Sequence, residues 1–405
     1  MAVKERRLKN LLSGILLVLI FVVTACTPSV GVGDNNKDLK LVSEFEGGKL
    51  YKAGEVSVLE LQGNYHQMGR QYGRLLKNEL NELYDISINS QYIQKQGFTY
   101  ERIKAIADSI FDFYPQRYKE ILYGMAETSG LGLEKQVILN AIEWYPKMGK
   151  SAPKCSGIGV WGDYTKDGTL IFGRNNDDTE FFKEFGKYTV VAVFKATDLS
   201  INTAIINYAG VIYAANGLNS KGIFLELNSG NAMGYYPDRT SIFVTLFSFL
   251  QDYPTIRQMD AAFQAVRVNL SSIVNVADKD IAYSFECTPD GVKRREPDKN
   301  GLMAATNHFV DPAWKIPQPA DDKKEGWTVK RRDNLLALAE KYRGQLDVEK
   351  MKQVMDTIIE NGGATVSTDT IYQIIAVPQD LTLWLNAPGN FNWQKIDLNK
   401  LLNNS

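Results

Sequence analysis

Apolar residues recur along this chain in two rhythms, and the rhythm changes near residue 150. Residues 54–61 have the composition of a strand. From Asn64 to Leu83, the residues Met68, Tyr72, Leu75, Leu76, Leu80 and Leu83 recur at three- and four-residue spacing, which predicts an amphipathic helix. Helical patterns continue over 100–113, 115–129 and 133–143, the last two parted by Gly130 and Gly132. The chain up to about residue 150 is therefore expected to be mainly helical. After Pro153 the alternation shortens. Strands are predicted over 156–163 and 169–174 around a Lys166-Asp167-Gly168 turn, then over 188–195, 203–208, 211–215 and 222–228. Helices are predicted at 241–250 and 255–267, short strands at 272–277, 281–287 and 302–306, helices at 328–341 and 347–359, and final strands at 371–377 and 382–386. Runs of strands, then helices, then strands predict an α+β fold with helices packed on antiparallel sheet.

The N-terminus follows neither rhythm. Lys4, Arg6, Arg7 and Lys9 precede a nearly unbroken apolar run from Leu11 to Ala25. Fifteen residues are too few to cross a bilayer comfortably, which takes about 20, and they suit the apolar stretch of a secretory signal. The run ends Val22-Val23-Thr24-Ala25-Cys26, which resembles a bacterial lipobox. That resemblance implies cleavage before Cys26, lipid on its thiol and an extracytoplasmic protein anchored to a bacterial membrane. Residues 1–25 are thus read as a lipoprotein signal peptide. Residues 26–38, small and polar, are read as a flexible tether, and the folded body is expected from about Leu39.

Composition narrows the chemistry. The 405 residues carry 46 basic and 47 acidic side chains, and a net charge of −1 offers no basic surface for nucleic acid. Length alone allows two or three domains. Only three cysteines and two histidines occur: Cys26, Cys155, Cys287, His66 and His308. That scarcity excludes a zinc ribbon or a disulfide scaffold, and no metal or cofactor is expected.

Cys155 opens the first strand after the change of rhythm, and Arg174-Asn175-Asn176-Asp177 closes the second. A returning hairpin would bring Arg174 and Asp177 beside Cys155. A guanidinium near sulfur favours the thiolate, and a carboxylate can orient an ammonium group. A base is still needed, and no histidine lies near Cys155 in sequence. One candidate is the α-amine of Cys155 itself, exposed by a cut at Lys154-Cys155. Its ordinary pKa of about 8 suits proton transfer near neutrality.

The segment Cys155-Ser-Gly-Ile-Gly-Val-Trp-Gly…Gly173-Arg-Asn-Asn-Asp177 resembles the opening of the N-terminal-nucleophile hydrolases that include choloylglycine hydrolases, penicillin V acylases and isopenicillin N acyltransferases. Further segments resemble the group in the same order: Ala215 to Asn228, Thr306-Asn307-His308-Phe309 and Thr328-Val-Lys-Arg331. Upstream, Leu61 to Gly73 resembles the helical pro-region of the acyltransferase branch. The resemblance implies a four-layer αββα sandwich over 155–405. Residues 39–154 would be a mainly helical pro-segment or small subunit that stays bound after autoproteolysis. It also implies roles: Cys155 as nucleophile, Arg174 polarising thiol and substrate, Asp177 holding the α-ammonium, and Asn228 donating to the oxyanion. Asn307 would hold the amine or the substrate, and Arg331 would complete the charged shell, with Arg332 as its neighbouring rival. Trp161, Phe181, Phe182, Tyr235 and Tyr236 fall where loops of related enzymes line an apolar acyl pocket. One departure stands out: the acyltransferase branch commonly has glycine before the cysteine, where this chain has Lys154. A bulkier residue there is expected to slow the cut or shift it.

The reaction implied is cleavage of a linear amide through a thioester. Acyl transfer to an amine, or ligand binding by a degenerate site, are the rival readings. The substrate class stays open among bile-salt conjugates, penicillins, N-acyl amino acids and lipid-like amides. A papain-like Cys155–His308 pair and a silencing Cys155–Cys287 disulfide are further alternatives.

Overall fold

The computed structural model describes residues 39–145, 154–230, 233–236 and 238–403. The signal, Cys26 and the tether lie outside the described residues.

Three strands come first: β1 (Lys40–Phe45), β2 (Gly48–Ala53) and β3 (Val56–Gly63). Only the third was expected. β1 and β2 carry little alternation, because β1 is largely exposed, so the apolar rhythm that marks a half-buried strand is missing. Five α-helices follow, with a π-helical stretch (Asp85–Lys95) after the second: α1 (Tyr65–Leu75), α2 (Lys77–Tyr84), α3 (Tyr100–Asp112), α4 (Gln116–Ser129) and α5 (Gly132–Asn140). A reciprocal capping box starts α1: Asn64 Oδ1 accepts from the Gln67 N–H, and Gln67 Oε1 accepts from the Asn64 N–H, both at 2.9 Å. Gln71, one turn on, donates to the carbonyls of Glu46 and Gln62 and accepts from the Gln62 N–H. The polar residues of the Leu61–Gly73 segment thus fasten α1 to the strands before it.

The hairpin of β4 (Ser156–Gly162) and β5 (Gly168–Asp177) opens the second part. Then come β6 (Thr189–Ala196), β7 (Thr203–Tyr208), β8 (Asn216–Asn219) and β9 (Phe224–Ser229), followed by α6 (Ile242–Asp252) and α7 (Ile256–Ala265). β10 (Ser272–Ala277), β11 (Ala282–Thr288), β12 (Gly291–Arg295) and β13 (Leu302–Ala305) follow. The chain ends with α8 (Thr328–Lys341), α9 (Val348–Asp356), β14 (Thr370–Val377), β15 (Thr382–Ala387), β16 (Phe391–Asp397) and α10 (Asn399–Asn403). Several details differ from the sequence reading. β12, β16 and α10 were not expected, residues 211–215 are not a strand, and Asn216–Asn219, between two predicted strands, is β8. Its asparagines are buried, and Asn216 Nδ2 donates to Tyr372 Oη while Asn219 Nδ2 donates to the Leu250 carbonyl. Tertiary partners make a strand of residues whose local preference is a turn.

These strands make two sheets. A ten-stranded sheet runs β1-β2-β3-β6-β7-β8-β9-β10-β11-β12, and a six-stranded sheet runs β13-β4-β5-β14-β15-β16. Helices α8 and α9 cover the outer face of the smaller sheet around Leu335, Met351 and Met355. The larger sheet carries α1, α6, α7 and α10. The architecture is therefore a four-layer αββα sandwich.

The segment before Cys155 is built into that sandwich and is not helical alone. β3 pairs in parallel with β6 over seven residue pairs, so β1–β3 extend the larger sheet. Tyr118 of α4 stacks on Phe247 of α6 with centroids 4.6 Å apart, and Arg117 forms a two-pronged ion pair with Asp252 at 2.7 and 2.8 Å. Residues 39–403 fall in one compact unit. Among the described residues no helix is long and apolar enough to cross a membrane.

Candidate active site

The site lies where β4 and β5, at the centre of the smaller sheet, face β9 of the larger. Register fixes it. Ser156 pairs with Asn175 and Gly157 with Arg174, while on the far side of β5 Thr370 pairs with Asp177 and Ile374 with Arg174. Side chains alternate along a strand, so Arg174 and Asn176 point between the sheets. Asn175 points to the other face, where it bonds Ser156, Thr365 and Gln373.

Arg174 is wholly buried. Its Nη2 reaches the Cys155 sulfur at 3.8 Å and donates to Asn176 Oδ1 at 2.8 Å. Its Nη1 donates to Asn228 Oδ1 at 2.8 Å and pairs with Glu226 Oε2. Glu226 was missed by the sequence reading. It also accepts from the side chains of Asn228 and Asn275. Burial pushes its carboxyl above the usual range, and Arg174 opposes that rise. Its signal was present: a lone carboxylate in the apolar strand Phe224-Leu225-Glu226-Leu227-Asn228, two residues before Asn228 and so on the same face. Glu226 also explains Gly157, because a Cβ there would lie 2.3 Å from Glu226 Oε1.

Arg331, from the first turn of α8, is the second buried guanidinium. Its Nη1 donates to the carbonyls of Lys154 and of Cys155, the latter at 2.9 Å. Its Nη2 donates to Asn307 Oδ1 at 2.8 Å, and its Nε to the Gly326 carbonyl at 2.9 Å. Asn307 in turn donates to the Ser229 carbonyl at 2.9 Å, one residue beyond Asn228. Arg332 points away, to Asp298 and the Ala304 carbonyl, so Arg331 is the arginine at this site.

Asp177 is buried with Arg331 Nη1 3.9 Å away, yet neither carboxylate oxygen accepts a hydrogen bond of normal geometry among the described residues. Burial raises its pKa from 3.8 to about 7, against the opposing pull of Arg331, Thr370 and Arg174. The Cys155 sulfur contacts the Asp177 backbone carbonyl at 3.5 Å. Cys155, Arg174, Asp177, Asn228, Asn307 and Arg331 are thus gathered in one cluster.

The other expectations divide. Trp161 lies six residues down β4 from Cys155, about 20 Å along the strand at ~3.3 Å per residue, and is packed in the core. It does not reach the sulfur. Phe181 and Phe182 belong to an aromatic cluster with Tyr92, Phe185 and Tyr208. Tyr208 in turn contacts Tyr372, whose hydroxyl is within electrostatic reach of Cys155. Tyr235 packs by Trp144, while Tyr236 lies under the Arg239 guanidinium. His308 engages Thr328 at 2.9 Å and Thr306 at 3.3 Å. Burial, first, and Arg332 lower its pKa to about 4, so it is a neutral turn residue near neutrality. Cys287 carries a free thiol, so the Cys155–Cys287 disulfide is not formed.

No protein-family model matches the chain. It is 27% identical to Protein dcd1B of Dictyostelium discoideum over 236 residues, which is 51% of this chain and 42% of that protein. It is 27% identical to Protein dcd1A of the same organism over 183 residues, 38% of this chain and 40% of that protein. The chain thus spans about two fifths of the length of the curated relatives it matches. Similar solved structures include a mutant conjugated bile acid hydrolase from Clostridium perfringens, with a TM-score of 0.45 at 15% identity over 62% of this chain and 95% of that one. An N-acylethanolamine-hydrolyzing acid amidase ortholog from Caenorhabditis elegans gives 0.43 at 17% over 60% and 100%. Penicillin V acylase from Agrobacterium tumefaciens gives 0.43 at 12% over 62% and 89%.

Two outcomes are expected. Glu226→Ala strands a buried guanidinium, so the folded state should lose about 3 kcal/mol or more in chemical denaturation; a loss below about 1 kcal/mol would show that Arg174 does not depend on it. For Asp177 the raised pKa sets the sign. The folded chain holds a proton that the unfolded chain releases between pH 3.8 and about 7, so this contribution to stability is full below the lower value and lost as pH rises through the higher. In a Cys155→Ala background, which keeps the chain in one piece, unfolding free energy should fall from about pH 5 to pH 8. Asp177→Asn should flatten that slope; an unchanged slope would mean that Asp177 is not the group responsible.

Proposed function

We propose that the protein is an amidohydrolase of the N-terminal-nucleophile type, acting on a linear amide through a Cys155 thioester after a cut at Lys154-Cys155. The observation that carries this reading is Asp177: a buried carboxylate that, among the described residues, meets Arg331 only at 3.9 Å and the Thr370 hydroxyl only weakly, with no donor of normal hydrogen-bond geometry, on the strand beside the one that Cys155 opens. Such a group is costly, and the α-ammonium freed by a cut before Cys155 would satisfy it. The same amine, as free base, would take the thiol proton, while Arg174 at 3.8 Å favours the thiolate.

Each remaining group has a task. The side-chain amide of Asn228 has two N–H donors. Glu226 takes one at 3.2 Å, leaving the other for the tetrahedral oxyanion. Arg331 and Asn307 would hold the new N-terminus and the substrate beside it. The thiolate attacks the amide carbon, the amine departs with a proton from the α-ammonium, and water then releases the acid and regenerates the thiol. The pre-cysteine part is proposed to stay bound as a small subunit, because it shares a sheet with the catalytic part through the β3–β6 pairing. The lipobox-like start supports a location for this chemistry outside a bacterial membrane, tethered through Cys26.

Intact-mass and N-terminal analysis of protein lacking its signal should find a fragment that begins at Cys155 and is absent from Cys155→Ala. An uncut wild-type chain whose thiol is not acylated by an activated amide would overturn the reading. Asn228→Ala should lower kcat by about 100-fold or more in the cut enzyme; a near-normal rate would remove it from the oxyanion role.

A further inference from the structure

Lys154 is the residue at which the chain departs from the sequence pattern it resembles, and its side chain has a place built for it. Its ammonium pairs with Asp369 Oδ2, and Asp369 Oδ1 accepts from the Thr368 hydroxyl at 2.7 Å. The Asp369 side chain is 9% exposed and that of Lys154 is 32% exposed, so this pair is better shielded than a surface ion pair. The lysine stem crosses Gly326, where a Cβ would stand 2.8 Å from Lys154 Cγ. Gly326 has φ +69°, a backbone region that favours glycine. The Lys154 carbonyl accepts from Arg331 Nη1, and Arg331 is itself braced by the Gly326 carbonyl. Charge, stem and carbonyl of one residue are therefore each held, by two segments far from it in sequence, 326–331 and Asp369.

We propose that Asp369 is a positioning residue for self-cleavage: by gripping the Lys154 ammonium it fixes the scissile carbonyl against Arg331 and within reach of the Cys155 thiol. This rests on the self-processing reading above. The Cys155 sulfur attacks the Lys154 carbonyl carbon. The C–S bond forms, the C–N bond to Cys155 breaks, and the thiol proton ends on the departing α-nitrogen. Water then adds to the thioester carbon and the C–S bond breaks, returning the thiol and leaving a carboxylic acid on Lys154. Arg331 supplies the donor for the carbonyl oxygen as it gains charge. Asp369 touches no reacting atom; it acts through the geometry of Lys154, where a displacement of about 1 Å can cost on the order of 100-fold in rate. On this account the lysine is a handle, and the bulk expected to hinder the cut is absorbed over Gly326.

Asp369 has other cations within electrostatic reach, Lys183 and Arg331, so removing Lys154 does not leave its carboxylate alone. That makes Lys154→Met a mild first variant, and Asp369→Asn the second. In full chains lacking the signal, the appearance of the fragment starting at Cys155 is followed by mass after synthesis, with thermal unfolding measured alongside. Lys154→Met and Asp369→Asn should each cut about tenfold or more slowly than wild type. Lys154→Arg should recover most of the rate, and the exchanged pair Lys154→Asp with Asp369→Lys should cut faster than either of its single members. A merely structural role would lower the thermal midpoint together with the rate, so the positioning role requires that cutting slows in variants whose thermal unfolding stays close to wild type. If wild type cuts and Lys154→Met cuts equally fast, the inference is overturned while the self-processing reading stands. A wild-type chain that never cuts overturns both.

Discussion

The structure turns on a guanidinium enclosed between two sheets. Arg174 projects from β5 of the smaller sheet toward β9 of the larger and meets Glu226 and Asn228 there. Removing a charge from water costs several kcal/mol unless a partner of good geometry is waiting, and here the partner sits on the opposite sheet. The pair therefore constrains how the two sheets face one another, with Gly157 leaving room for the carboxylate. Once that relation holds, the start of β4 and the end of β9 lie side by side, so Cys155, Asn228 and, through Ser229, Asn307 converge.

Arg331 has a complementary place. It comes from the helix layer outside the smaller sheet and ends on backbone carbonyls at the Lys154–Cys155 junction. The two arginines thus have different kinds of partner. Arg174 is neutralised by a full carboxylate and leans on sulfur. Arg331 is surrounded by carbonyl oxygens, with Asp177 at the outer edge of ion-pair range. Burial lowers the Arg331 pKa below its ordinary value and raises that of Asp177. Two buried charges at the junction are thus shifted toward their neutral forms, a pattern common where chemistry is done.

Much of the fold was legible. Helices α1, α3, α4 and α8 follow from spacing, because each buries one face and exposes or half-buries the other, whereas α6 and the strands around Cys155 are buried almost throughout and follow from short apolar runs bounded by turn residues. The misses have more than one cause. β1, β12 and β16 lie at sheet edges, where exposure blurs the alternation. β8 is a strand only because Tyr372 and the Leu250 carbonyl take up its asparagine amides. The site was legible in part: Cys155, Arg174, Asp177, Asn228, Asn307 and Arg331 were marked by ordered motifs. Trp161 is close to Cys155 in sequence, yet an extended strand sets it about 20 Å along β4.

The sequence by itself determined the α+β class, the change of rhythm at Cys155, the lipobox-like start and the residue types of the candidate site. Periodicity and local motifs are carried by neighbours in the chain, so they can be read there. Only the tertiary structure decided that the pre-cysteine part is woven into the larger sheet, that Glu226 answers Arg174, that Arg331 and not Arg332 reaches the junction, and that Lys154 is held by Asp369 over Gly326. Each of these pairs residues between 52 and 215 positions apart or parts two adjacent ones, and a buried charge finds its partner through packing that no local pattern encodes.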